Sequence, residues 1–239
     1  MCMNDIKFDF KDKIVLVFGG SKGIGKEVCE QFLQCNAKVY CISRTNPLIT
    51  NLNFIECDIS KESEICNVFK QFDRLDFVIN VAGTNLCEPI ENISTEEWDR
   101  LMSVNLKSFF IICKESVKLM KRFSYGRIVN VSSIAGRNKS IVSGVHYTAS
   151  KYGVIGLTKQ LANEVSQFNI LVNSVCPSQT MTQMLKESMS DNQRHKLEQS
   201  IPVKRIASTK EQAIPILFLC SSAASYIAGT TLDVNGGQF

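Results

Sequence analysis

Short apolar runs alternate along this chain with longer stretches whose apolar residues recur every three or four positions. Runs of the first kind, rich in Val and Ile, lie at 14–18, 38–42, 53–57, 76–80, 127–131, 170–175 and 231–234, and predict seven strands. Stretches of the second kind predict helices near 24–35, 61–72, 183–198 and 210–221. Two longer helices complete the pattern. One starts at the capping-box sequence Ser94-Thr95-Glu96-Glu97 and runs to about 120; the other carries Tyr147 and Lys151 to about 165.

Strands that are apolar on both faces, each followed by a helix, belong to a parallel sheet covered on its two sides. The expectation is an α/β fold, a doubly wound Rossmann-type sheet of about seven strands with helices on both faces. No Pro/Gly/Ser-rich linker and no internal repeat divides the 239 residues, so residues 1–239 are expected to form one domain. The polar, irregular stretch 178–207 is expected to be a lid within it.

Composition removes several function classes. The net charge of +4 is mild, and no run of basic residues interleaves with aromatics, so nucleic acid is not an expected partner. Ten cysteines are scattered without any C-x-x-C, and the two histidines, His146 and His195, stand far apart. That spacing suits reduced thiols packed as small core residues better than a disulfide set, and no metal site is expected. The N-terminal residues lack an apolar leader core, and no stretch approaches the roughly 18 apolar residues of a membrane span. A soluble, cytoplasmic protein is expected.

The candidate chemistry begins with Tyr147 and Lys151, one helical turn apart and on one helix face, with Ser133 fourteen residues upstream of the tyrosine. A nearby ammonium favours phenolate and is expected to lower a phenol from about 10 toward neutrality. A serine hydroxyl at the same point can hold a carbonyl oxygen while the tyrosine gives or takes its proton. A second feature supplies the missing hydride carrier. Gly19-Gly20-Ser21-Lys22-Gly23-Ile24-Gly25 lies between the first strand and the first helix, where a doubly wound fold holds a pyrophosphate. Gly19 allows the sharp turn, Gly23 lets the backbone approach phosphate, and Gly25 lets helix and strand pack closely. The G-x-x-x-G-x-G spacing differs from the more familiar G-x-G-x-x-G.

With Asp58, Asn80-Val81-Ala82-Gly83, Asn105, Pro177 and the closing Asp233-Val234-Asn235-Gly236-Gly237 in the same order, the chain resembles the short-chain dehydrogenase/reductase family over essentially its whole length. The likeness is to its compact branch of roughly 250 residues, which includes the 3-oxoacyl-carrier-protein reductases. The resemblance implies catalytic roles for Asn105, Ser133, Tyr147 and Lys151. Tyr147 would be the general acid or base, Lys151 would hold the nicotinamide ribose, Ser133 would bond the substrate oxygen, and Asn105 would anchor a water in a relay to Lys151. It also implies cofactor contacts at Gly19, Ser21, Lys22, Gly23, Ile24, Gly25, Ser43, Arg44, Asp58, Ile59, Asn80, Ala82, Gly83, Tyr147, Lys151, Pro177 and Thr182. Singly, each has an ordinary use: a core aromatic, a surface lysine, a loop serine, a helix cap. The ordered set is what separates the two readings.

Charge bears on which cofactor. An acidic residue at the end of the second strand would bond the 2′-hydroxyl of NAD and repel a 2′-phosphate. Here the position is Ser43, followed by Arg44, and Lys22 adds a cation from the glycine turn, so NADP(H) is expected and NAD(H) less so.

Departures from the family pattern are Phe18 before the glycine turn, Val81 for the usual second asparagine, and Ser178 for the usual glycine after Pro177. Only thirteen residues separate Arg44 from Asp58, so the helix usual in that interval is expected to be reduced or lost.

The expected reaction interconverts a ketone and a secondary alcohol on a small substrate. A 3-oxoacyl-carrier-protein reductase and a non-catalytic NADP-binding regulator are the alternatives; Ser124 and Phe168, where such reductases carry basic residues, weigh against the first. Substrate contacts are sought among Arg137, Asn138, Lys139 and His146, and in the Met-rich lid with Met181, Met184, Leu185, Met189 and Arg194. The family also implies a homotetramer, with a dimer as second choice, built on the helix from 95 to 120 and the Tyr147 helix, whose Gly153 and Gly156 would permit close approach.

Overall fold

The computed structural model describes residues 7–140 and 142–239, apart from the side chains of Met184 and Ser188, so the lid residue Met184 and the reading of residues 1–6 fall outside it. Seven parallel strands form one sheet: β1 (Ile14–Phe18), β2 (Lys38–Ser43), β3 (Asn53–Glu56), β4 (Phe77–Asn80), β5 (Gly126–Val131), β6 (Ile170–Pro177) and β7 (Thr231–Val234). Their spatial order is β3-β2-β1-β4-β5-β6-β7. All six adjacent pairs are parallel. The order reverses between β1 and β4, and ligands of doubly wound sheets bind at such a point, beyond the carboxyl ends of the strands.

Alternation along each strand sends successive side chains to opposite faces. Leu16, Phe18, Ile42, Val78, Ile128 and Val172 pack with residues of α2 (Glu62–Phe69), α4 (Ser108–Lys121) and α5 (Val145–Val165). Val15, Val17, Val39, Ile79, Val129 and Val175 pack with those of α1 (Gly23–Gln34) and α8 (Thr209–Cys220) on the other side. Burial on both faces is why these strands read as continuous apolar runs. Between β2 and β3 the chain holds no helix, as the short interval from Arg44 to Asp58 requires.

The structure departs from the helix pattern in two places. The predicted helix from 95 to 120 is α3 (Thr95–Met102), a π-helical turn at Ser103–Lys107, and then α4. The predicted helix 183–198 is two, α6 (Gln183–Ser188) and α7 (Asp191–Ser200), because Ser190 and Gln193 form a capping box that starts a new helix. Ser94 does cap α3, accepting from the Glu97 N–H, but the Glu97 carboxylate turns to Arg100 instead of back to the cap. Among the described residues no helix is long and apolar enough to cross a membrane. The nine cysteines among them are all free thiols, and no group of three His, Cys, Asp or Glu could hold a metal ion.

Candidate active site

The carboxyl ends of the strands bring the two halves of the sequence reading to one edge of the sheet. Gly19 follows β1, Arg44 follows β2, Asp58 follows β3, Ala82 and Gly83 follow β4, Ser132 and Ser133 follow β5, and Pro177 ends β6.

Beyond β5, helix α5 delivers the tyrosine and lysine. Lys151 is 3% exposed, and its Nζ donates to the Val131 carbonyl at 3.0 Å. The same ammonium lies 5.7 Å from the centre of the Tyr147 ring and 5.4 Å from that of Phe109. The Ser132 hydroxyl donates to the Lys151 carbonyl at 2.8 Å, so strand end and helix are tied directly. Ser133 lies close enough to the phenol to lower its pKa, and its hydroxyl accepts the Ala135 N–H at 3.1 Å.

Electrostatics here overturn one expectation. Burial raises the Tyr147 phenol above its ordinary value, and the group that opposes this is Ser133 through its hydrogen bond, not Lys151. Lys151 is itself desolvated and falls to about 8. A lysine in an apolar wall loses part of its own preference for charge before it can influence its neighbour.

Asn105 sits in the π turn, fully buried. A π turn inserts one residue into the helix and rotates it off the regular face. The Asn105 Oδ1 accepts the Thr84 N–H at 2.9 Å, and Nδ2 donates to the Thr84 carbonyl at 2.8 Å and the Ser150 hydroxyl at 3.3 Å. Ser150 in turn donates to the Tyr147 carbonyl at 2.7 Å. The amide therefore pins the turn after β4 to the first turn of α5. Ser150 was not among the sequence candidates, although it stands beside Lys151 in the same motif.

The glycine turn has the geometry a pyrophosphate needs. Gly19 has φ of +90°, and a Cβ there would lie 2.6 Å from the Ala82 backbone. A Cβ on Gly25 would lie 2.2 Å from the Gly19 carbonyl oxygen, which fixes how closely α1 meets β1. The α1 N-terminus has no side-chain cap and no acidic residue in its first turn, so its first N–H groups carry no side-chain acceptor. Ser21 and Ile24 lie half-buried in this turn, with Lys22 exposed. Thr182, which caps α6 by accepting the Leu185 N–H, rests its methyl 3.2 Å from the Cβ position of Gly23. The start of the lid thus meets the phosphate turn. These features fit a dinucleotide.

The remaining positions divide. Arg44 is exposed at the end of β2, while Ser43 is buried and donates to the Thr45 carbonyl at 2.8 Å. The Asp58 Oδ1 accepts both the N–H and the hydroxyl of Ser60, which hold its pKa below the usual carboxylate value, with Arg44 and Lys61 adding smaller effects. Ile59 packs into the core beneath. Asn80 is fully buried and donates to Asn130 Oδ1 at 2.7 Å, so its side chain lies inside the sheet–helix layer. Ala82 and Gly83 are held by the Ala82 N–H donating to the Phe18 carbonyl, and a Cβ on Gly83 would stand 3.6 Å from the Lys151 Nζ. Pro177 is buried in register with Val234, and the Ser178 N–H donates to the Val234 carbonyl.

Among the residues considered for substrate, Asn138 and Lys139 are exposed. Arg137 is engaged by Asp233, and Arg194 by Asp191 and two carbonyls within the lid. His146 is fully buried and faces the Gly144 backbone, away from solvent.

A parallel sheet in this order, a glycine turn at its reversal point and a Ser–Tyr–Lys set beside it define a dinucleotide-dependent oxidoreductase. Residues 13–193 match the family model for short chain dehydrogenases. Over 98% of its length the chain is 32% identical to 3-oxoacyl-[acyl-carrier-protein] reductase FabG of Aquifex aeolicus, covering all of that protein. It is 37% identical to carbonyl reductase family member 4 of Xenopus laevis, over 94% of this chain and 97% of that one. The solved structure of ElxO with NADP bound superposes with a TM-score of 0.88 at 29% identity, covering 95% of this chain and 98% of that one. The chain belongs to the short-chain dehydrogenase family and is an oxidoreductase.

Proposed function

We propose that this protein is an NADP(H)-dependent oxidoreductase that interconverts a ketone and a secondary alcohol on a small substrate. The observation that carries the reading is the convergence of Ser133, Tyr147 and Lys151 beyond the end of β5, with Asn105 bonded into the same helix turn.

The nicotinamide cofactor supplies the hydride. The chain's own residues do the rest. Gly19, Ser21, Gly23, Ile24 and Gly25 form the cradle for the pyrophosphate, with Thr182 closing it from the lid side. Lys22 and Arg44 are exposed and positively charged, and β2 ends on Ser43 where a carboxylate would repel phosphate, which suits a 2′-phosphate. Asp58 and Ile59 would hold the adenine end, the backbone from Asn80 to Gly83 the adenosine ribose, and Pro177 the nicotinamide. In reduction the Ser133 hydroxyl would hold the substrate oxygen by a hydrogen bond and keep its proton while Tyr147 protonates that oxygen; in oxidation the phenolate would take the proton back. Burial keeps the phenol protonated at neutral pH, the form that reduction requires. Lys151 would hold the nicotinamide ribose and, with Asn105 and a water, would return the proton from solvent.

Similarity to the Aquifex reductase supports a 3-oxoacyl thioester as one substrate, and similarity to the Xenopus reductase supports a free carbonyl compound. Ser124 and Phe168 lack the charge for carrier-protein docking, and Phe168 packs under Lys121, so we favour the second. A regulator without catalysis would not need a phenol placed beside both a serine and a buried lysine. The chain is proposed to work as one domain, residues 1–239, with 178–207 as lid, in the cytoplasm. The test is NADPH consumption across keto-esters, diketones, keto-sugars, quinones and acetoacetyl thioesters. Turnover of a carbonyl compound with NADPH preferred over NADH is expected; equal efficiency with both cofactors contradicts the cofactor assignment.

A further inference from the structure

Arg137 stands at the outer end of the short 3₁₀ turn Ile134–Gly136 that begins at Ser133. Its Nε and Nη2 donate to the two carboxylate oxygens of Asp233 at 3.2 and 3.1 Å, a two-pronged pair joining residues 96 positions apart. Asp233 lies on β7, an edge strand, in register with Cys176 of β6. From residue 137 to 140 this is the one side-chain bond to another element among the described residues.

The inner side of the turn is already fixed. A Cβ on Gly136 would lie 2.6 Å from the Ser132 hydroxyl and 2.7 Å from the Lys151 carbonyl, so the turn lies directly on α5. Gly136 and Arg137 donate their N–H groups to the Ser133 and Ile134 carbonyls, which makes the turn a rigid link from Ser133 to Arg137. Beneath it is the fully buried Cys176, in register with Asp233 and near enough to Ser132, Ser133, Asp233 and Arg137 for each to act on its thiol. Ser133, Cys176 and the ion pair are therefore one packed unit. Exposed ion pairs contribute little as a rule, and forked arginine–carboxylate pairs are the exception because they fix an angle as well as a distance. This one is about one-third exposed at the arginine, with side-chain exposures of 38% and 26%.

We propose that the Arg137–Asp233 pair is a strut that sets the direction of the Ser133 hydroxyl toward Tyr147, making both residues positioning residues for the proton transfer. The inference rests on the roles given above to Ser133 and Tyr147. It also reassigns Arg137: the guanidinium edge that would grip an anionic substrate is spent on β7.

The strut can be read separately from the activity. The titratable groups around the phenol are Lys151 on its own helix and Cys176 on β6, and neither is altered by the substitutions used here. The Ser133 hydrogen bond lowers the phenol, so a turn that swings free must let the phenol rise. In Arg137→Ala and Asp233→Ala, kcat for reduction is expected to fall roughly five- to twentyfold with KM within twofold, and the alkaline limb of the kcat profile to move to higher pH. Arg137→Lys, a cation without a fork, should fall between. The exchanged pair Arg137→Asp with Asp233→Arg should regain part of the loss. Ultraviolet titration of the cofactor-free protein, taken as the difference from Tyr147→Phe, should show the Tyr147 phenolate appearing at higher pH in Arg137→Ala. A rise in KM alone would mean that Arg137 meets the substrate. Unchanged kcat and an unchanged phenolate titration would mean a surface ion pair only, and a lowered melting temperature with normal turnover a merely structural one. Either overturns the strut. If no carbonyl compound is turned over even by the unaltered protein, the proposed activity fails, while the titration still decides the strut.

Discussion

Lys151 is the residue at which function and stability pull apart. It is buried without a carboxylate, and burial takes its pKa from 10.5 to about 8. The folded value lies below the unfolded one, so between about 8 and 10.5 the unfolded chain binds the extra proton and stability rises with pH across that window. Below about 8 the penalty is fully present. It amounts to about 3 kcal/mol as an upper figure, offset in part by the bond to Val131. Lys151→Met is therefore expected to abolish turnover yet raise the melting temperature at pH 7 by roughly 3–6 °C. The gain should shrink to nothing as the pH approaches 10.5, the value of an unperturbed lysine. Calorimetry at pH 7 and near the top of that range checks the sign: a variant less stable at pH 7 would contradict it. Residue identity in the site was legible because Ser133, Tyr147 and Lys151 occur in order at fixed spacing. The direction of the tyrosine's pKa was not, because burial depends on which side chains close over the pair, and Phe109 comes from a helix 38 positions away.

At the scale of the element, the glycine turn and the end of β2 are proposed to act together on the cofactor. Lys22 and Arg44 are both exposed. Each charge-assisted bond to phosphate contributes about 1.5–3 kcal/mol, so Arg44→Ala and Lys22→Ala should each raise the KM for NADPH roughly tenfold or more. The KM for NADH should stay within twofold. Steady-state kinetics with both cofactors decides this; equal losses for NADH would assign the two cations to the pyrophosphate or to folding. All seven strands were readable, because burial on both faces leaves an unbroken apolar run. Helix interiors were less so. The π turn at Asn105 inserts one residue without any compositional mark, and a period of 3.6 carries through it almost unchanged. The break between α6 and α7 had a signal in Ser190 and Gln193, the same capping pattern that marked Ser94. At Ser94 the pattern was only half used, since Arg100 at i+3 offered Glu97 a charged partner.

For the whole molecule, some of the apolar residues left outside the core lie on the helices expected to pair with further chains. Trp98 on α3, Phe110 on α4, and Val145 and Tyr152 on α5 are each at least one-third exposed. A Cβ on Gly153 would lie 2.7 Å from Leu106 of the same chain, so this glycine serves packing within the chain. A Cβ on Gly156 would meet nothing within 4 Å. We propose a homotetramer, with a dimer as second choice. Light scattering after size exclusion should give a multiple of the 26.7 kDa chain mass, and Gly156→Trp should shift it toward smaller species. A monomer at micromolar concentration would contradict the proposal. Tetramer or dimer, each chain carries its own Ser133, Tyr147 and Lys151, and the central claim concerns these. Its most direct measurement pairs NADPH oxidation with NADPH binding in the unaltered protein and in Tyr147→Phe, using whichever carbonyl compound is turned over. The expected result for Tyr147→Phe is a loss of at least about a hundredfold in kcat with the dissociation constant for NADPH within a few-fold. Turnover that survives removal of the phenol would contradict it.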